Sequence, residues 1–208
     1  MEIINDLIGD IIFDVENNIT GRIANKVEGS RRTNGLEILM EYVYKSGGGN
    51  HIEIGTLFGG SAIAVALLKK HLEHPGLVFC IDPLAGFYNE GLIDSQSGVA
   101  VTPQTLFKNI QKFDVGDRIM VMQARSDPCP KFTDICFSTA YIDGDHEHGI
   151  PVRDWSCVNS HVTDYIIFDN HAETHRDVLK AGKLSINNKH WEKERDEDVT
   201  LVVRRINE

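Results

Sequence analysis

Two rhythms of hydrophobic and polar positions run along this chain. Near the N-terminus apolar residues recur three and four apart. Ile4, Leu7, Ile8, Ile11 and Ile12, then Leu36, Leu39, Met40 and Val43, predict amphipathic helices over 2–17 and 34–45. Gly47-Gly48-Gly49 stops the second of these and leads into a different pattern. From residue 50 onward, short apolar runs alternate with helical stretches. Strands are predicted at 50–54, 77–81 (ending at Asp82), 118–122, 137–142, 165–168 and 199–203, with helices at 61–70, 103–113, 149–159 and 173–184. Continuous apolar runs such as Leu77-Val78-Phe79-Cys80-Ile81 indicate strands covered on both faces, as in a parallel sheet. The expectation is one domain over 1–208, a doubly wound, mostly parallel α/β core at 47–208 with a helical cap at 1–46. Residues 83–101, with Gly86, Tyr88, Asn89, Gly91 and Gly98, form an irregular stretch of the length that carries function. The run Glu192 to Asp198 mixes signs and reads as a solvated turn.

Composition narrows the class. The 208 residues suffice for one core, and 41% hydrophobic with 25% charged residues is the balance of a soluble globular protein. A net charge of −10 argues against a phosphate-backbone partner, and so against nucleic acid. No apolar run approaches the ~18 residues of a membrane span, and the N-terminus lacks the pattern of a signal peptide. Cys80, Cys129, Cys136 and Cys157 form no C-x-x-C, and Cys80 and Cys136 lie in apolar runs where cysteine packs as a small core residue. The cysteine reading is a reduced, cytoplasmic protein with neither disulfides nor a cysteine metal site.

Candidate chemistry begins at His51-Ile52-Glu53-Ile54-Gly55-Thr56-Leu57-Phe58-Gly59-Gly60-Ser61-Ala62, a strand, a glycine-rich turn and a helix start. Glycines let backbone N–H groups approach a ligand, and a helix N-terminus adds partial positive charge. The spacing is E-x-G-x-x-x-G, which is neither the dinucleotide G-x-G-x-x-G nor the phosphate-binding G-x-x-x-x-G-K-[ST]. The predicted strands end in acids: Glu53, Asp82, Asp143-Gly144-Asp145-His146 and Asp169-Asn170. Ligands of open α/β sheets sit outside the carboxyl ends of the strands. Any one acid could be a cap or a solvated terminus, but four on one edge require a ligand, a metal or hydrogen bonds. Asp82 can accept from both hydroxyls of a ribose, although an NAD protein would place an acid similarly.

The chain resembles the class I S-adenosylmethionine (SAM)-dependent methyltransferases, and among them the small O-methyltransferase-like group with a D-G-D-H motif. The matching segments are HIEIGTLFGGSA (51–62), FCIDP (79–83), MQARSD (122–127), AYIDGDHEHGIPVRDW (140–155) and YIIFDN (165–170). The resemblance implies a Rossmann-like, seven-stranded methyltransferase fold and methyl transfer from SAM to a hydroxyl oxygen of a small molecule. It implies that Glu53 and Gly55 line the methionine and ribose of the cofactor, with Gly59, Gly60 and Ser61 completing the turn. Asp82 would hold the ribose, Ser126 would approach the adenine, and Asp143 would lie beneath the sulfonium and face the acceptor. Catechol-type members hold a divalent cation, usually Mg²⁺, where this chain has Asp143, Asp169 and Asn170. Asp-Asn also turns a chain after a strand, so a turn without metal stays open. Asp145 and His146 occupy positions of the general base in different relatives. His148 stands where many relatives have tyrosine.

Other readings remain. His171-Ala172-Glu173-Thr174-His175 displaces the glutamate of H-E-x-x-H by one position, so zinc-protease geometry fails there. Trp155 and Trp191 read as packing residues. A ligand-binding protein on this fold, or a metal-dependent hydrolase using Asp143, Asp145 and His146, stays open, because a fold does not fix a function. An NAD-dependent oxidoreductase is disfavoured by the turn. The N-terminal amphipathic helix could serve a homodimer.

Overall fold

A computed structural model of the chain describes residues 2–23, 34–86 and 91–206. Tyr88 and Asn89 of the irregular stretch, and part of the N-terminal cap, lie outside them. In chain order the elements are α1 (Glu2–Asn18), α2 (Asn34–Lys45), β1 (His51–Ile54), α3 (Gly60–His71), β2 (Val78–Asp82), α4 (Pro103–Lys112) and β3 (Ile119–Gln123). There follow β4 (Phe137–Ile142), α5 (Ile150–Val158), β5 (Val162–Phe168), α6 (Arg176–Ile186), β6 (Trp191–Glu197) and β7 (Thr200–Arg205). The sheet has seven strands in the order β3-β2-β1-β4-β5-β7-β6. β1 to β5 run parallel, and β7 inserts antiparallel between β5 and the edge strand β6.

Strand alternation divides the sheet's side chains between two cores. Val78, Cys80, Tyr141, Ile167 and Val202 join α1 to α4 on one face. Phe79, Ile81, Ala140, Ile142, Ile166, Phe168, Leu201 and Val203 join α5 and α6 on the other. Burial on both sides is why the central strands read as unbroken apolar runs. No described helix is long and apolar enough to cross a membrane.

Two expectations are corrected here. The mixed-charge run at 192–198 is not a solvated turn: 192–197 belong to β6, paired with β7. As an edge strand it is largely exposed, with Arg204 on Glu192 and Arg195 on Glu41 and Glu197. Exposure hides the apolar signal of a strand, and edge charges guard against strand addition. Trp191, buried at its start, anchors it in the second core, as packing predicts. The cysteines also differ from expectation. Cys129 and Cys157 form a disulfide across a Cα–Cα distance of 5.3 Å, and Cys136 is exposed. Their spacing gave no hint, because only the packing of α5 brings Cys157 back to the loop after β3. The cysteine argument for a reduced compartment is thereby removed.

His51, at the start of β1, is fully buried, with Nδ1 2.7 Å from Thr139 Oγ1. Burial, aided by the positive Lys69, pushes its pKa down to about 3. The folded chain therefore holds it neutral while the unfolded chain protonates it near pH 6.5. Its contribution to stability is complete above that value and is lost as pH falls toward 3, on the order of 4 kcal/mol. Urea midpoints at pH 7 and pH 4 should show a steep loss in the wild type and a flatter response in His51→Gln. Equal pH dependence in the two would refute the assignment.

Candidate active site

Strand order reverses between β1 and β4, so the crevice at their carboxyl ends is the topological switch point of the sheet. Two turns meet there. Gly55 has φ +88°, and a Cβ on it would lie 2.2 Å from the backbone oxygen of Asp143. Only glycine lets the turn after β1 dock on the turn after β4. Gly59 and Gly60 give packing instead: a Cβ would meet Leu106 at 2.6 Å and Ile23 at 2.8 Å, respectively. Helix α3 follows with no side-chain cap, leaving its first N–H groups directed at the crevice.

Asp82 closes the other side. Its Oδ2 accepts from the N–H groups of Thr56 (2.7 Å) and Leu57 (2.9 Å), and Oδ1 accepts from Leu84 N–H at 2.7 Å. Asp82 is thus the brace of the glycine turn, a role the sequence did not reveal. The two N–H groups fill both lone-pair sites of Oδ2, and Oδ1 keeps one for a ligand hydroxyl, so Asp82 has room for one ribose hydroxyl rather than the expected two.

Glu53 is fully buried and points to the face of α3. Burial pushes its pKa up to about 8, the Ser61 and Thr56 side chains work against this, and Asp143 and Asp82 add to it. Three of the expected cofactor residues, Ser61, Asp82 and Asp143, therefore gather around a fourth, Glu53. Ser126 lies across the crevice on the loop after β3, buried, its hydroxyl donating to the fully buried Asp154.

The D-G-D-H turn splits its residues. His146 Nε2 lies 3.6 Å from Asp143 Oδ1, and its side chain is 14% exposed. Burial lowers the His146 pKa against the opposing pull of Asp169 and Asp145, so the ring is neutral near pH 7. Asp145 stays within electrostatic reach of His146, while its Oδ1 accepts Glu147 N–H at 3.0 Å as a loop-forming bond. His175 packs edge-on to His146 with ring centroids 4.7 Å apart. His148 is exposed, and His171 faces Asp196 at 3.2 Å.

Asp169 is 1% exposed, and neither carboxylate oxygen has a hydrogen-bond partner. Gly35 of α2 covers it: a Cβ there would be 2.8 Å from Asp169 Oδ1. Burial, then the neighbouring Asp143, drives its pKa well above the carboxylate range. Asn170 Oδ1 is also buried without a partner, the residue itself having φ +53°. Among the described residues no group of three or more His, Cys, Asp or Glu is arranged to hold a metal. Asp143 and Asp169 are neighbours, and Asn170 follows in the chain with a buried, unpartnered amide oxygen; in kind these two carboxylates and one amide oxygen suit a hard cation.

The chain matches no family model and no curated protein. Its fold is shared with solved methyltransferases. The O-methyltransferase NovP is 15% identical with a TM-score of 0.73, the match covering 99% of each chain. An O-methyltransferase from Bacillus cereus, solved in complex with SAH, is 16% identical with a TM-score of 0.65 over 96% of this chain and 90% of its own. The O-methyltransferase TomG from Streptomyces achromogenes, involved in tomaymycin synthesis and solved with SAM, is 10% identical with a TM-score of 0.63 over 98% and 89%. The likeness establishes the architecture: a Rossmann-like methyltransferase fold with a seven-stranded sheet.

Proposed function

We propose that this chain transfers the methyl group of SAM to a hydroxyl oxygen of a small molecule. The observation that carries the reading is the acidic floor of the crevice, where Glu53, Asp82 and Asp143 converge around the glycine turn. An anionic pyrophosphate would be repelled there, which disfavours a dinucleotide. A ligand with a sulfonium and an ammonium is attracted.

SAM supplies an electrophilic methyl carbon when bound. The turn at 55–57 and Asp82 would hold its ribose end, and Glu53 and Asp143 would face its cationic end. His146 would be the base: neutral at pH 7, it is placed to take the proton of an acceptor hydroxyl to which SAM supplies the methyl group. Asp143, at 3.6 Å, stabilises the imidazolium that results. Asp145 is left to shape the loop. A divalent cation, held by Asp143, Asp169 and Asn170, would orient the acceptor oxygen and lower its pKa. Excess chelator should then abolish methyl transfer while SAM affinity persists; full activity in chelator refutes the metal role.

Binding tests the cofactor. At pH 7 Glu53, with its pKa near 8, enters binding protonated, and a cationic ligand pulls that pKa down. Calorimetry in buffers of different ionisation enthalpy should show up to about one proton released per SAM bound. Glu53→Gln should remove the release. No affinity at millimolar SAM would overturn the reading, and product SAH with any hydroxyl acceptor would separate catalysis from mere binding.

A further inference from the structure

Three ties join the loop after β3 to helix α5. Ser126 Oγ donates to Asp154 Oδ1, Arg153 pairs with Asp127 at 2.9 Å, and Cys129 is bridged to Cys157. Residues 154 and 157 stand one turn apart on α5, so the first and third ties lie on one helix face. The ion pair between them is half exposed and contributes little. The hydroxyl pair is different: Asp154 is 0% and Ser126 7% exposed, so its bond is made out of water.

A serine hydroxyl has one proton and two acceptor lone pairs. With the proton committed to Asp154, Ser126 can offer a ligand only its lone pairs. Asp154 has no competing donor to relieve it, since its Oδ2 is buried without a partner beneath Gly144, where an added Cβ would lie 3.1 Å away. The disulfide fixes the far end of the loop and keeps the hydroxyl in register with the helix.

We propose that Asp154 determines which base the cofactor pocket accepts: by holding the Ser126 proton it makes that hydroxyl an acceptor for an exocyclic amine, as on adenine, and an opponent of a carbonyl in the same place. The proposal rests on the SAM reading together with the resemblance, which sets Ser126, on the loop after β3, toward the adenine. Asp154 acts through Ser126 and is a positioning residue.

The test is the ratio of affinities for S-adenosylhomocysteine and S-inosylhomocysteine, which differ by an amine against a carbonyl. It is measured at pH 8, above the value of about 7 to which burial raises the Asp154 carboxyl. The wild type should favour the amine ligand by roughly 30-fold or more, since the wrong partner leaves a buried acceptor unpaired. Ser126→Ala and Asp154→Ala should each bring the ratio to within about threefold. Asp154→Asn, whose amide oxygen still accepts the hydroxyl proton, should restore most of the preference. A purely structural role would weaken both ligands together and leave the ratio alone. An unchanged ratio in Ser126→Ala overturns the proposal even where Asp154→Ala fails to fold. A wild type that binds neither ligand overturns the cofactor reading and this proposal with it, whereas binding with an unchanged ratio overturns this proposal alone.

Discussion

Gly55→Ala is expected to cost about 4 kcal/mol or more, a large part of the 5–15 kcal/mol that holds a typical domain together. Two effects add. The residue sits at φ +88°, where a side chain is strained, and its Cβ would overlap Asp143 O at 2.2 Å and Gly144 Cα at 2.6 Å. Those are backbone atoms of the turn after β4, held by Asp143 N–H on Ile54 O at 2.9 Å, so they cannot rotate aside. Gly98→Ala is the matching control, with φ +69° and nothing within 4 Å of the added carbon. It should cost only about 1 kcal/mol, the strain of the positive φ alone. Urea unfolding followed by circular dichroism would measure both. Equal losses at 55 and 98 would show that the two turns do not depend on their close approach.

The second large effect separates stability from activity. Asp169→Asn should raise stability at neutral and alkaline pH while lowering methyl transfer about 100-fold or more. The acid is buried, its oxygens lack partners, and Asp143 stands beside it, so its ionisation opposes folding. With a folded pKa above the unfolded one, its stabilising proton is fully held below the ordinary carboxylate range. That benefit is lost as pH rises. An amide carries no such penalty, so the melting temperature of the variant should fall less between pH 5 and pH 8.5. SAM affinity should change little, because Asp169 faces Gly35 and Asp143 rather than the glycine turn. A variant that loses stability along with activity, or keeps full activity, would defeat the idea that Asp169 is a strained functional acid.

Much of this was legible from the sequence. The glycine turn, Asp82 and the D-G-D-H segment declare themselves, because a tight turn demands glycine and a sheet places its acids at strand ends. Hydrophobic rhythm located the central strands, because two buried faces leave no polar positions in them. It failed at β6, where one exposed edge strand looks like any charged loop. Other features depended on chain segments meeting in space. Asp154 looked like an ordinary helix residue until α5 laid it under Ser126. Cys129 and Cys157 were two unremarkable cysteines until the same helix paired them.

By itself the sequence determined the alternation of strands and helices, the identity of the turn and the acidity of the strand ends, since these rest on local spacing and residue chemistry. Only the tertiary structure decided which acids become buried neighbours: Glu53 with Asp82 and Asp143, Asp143 with Asp169, and His146 beside both aspartates. Burial and proximity set their protonation, and both depend on partners distant along the chain.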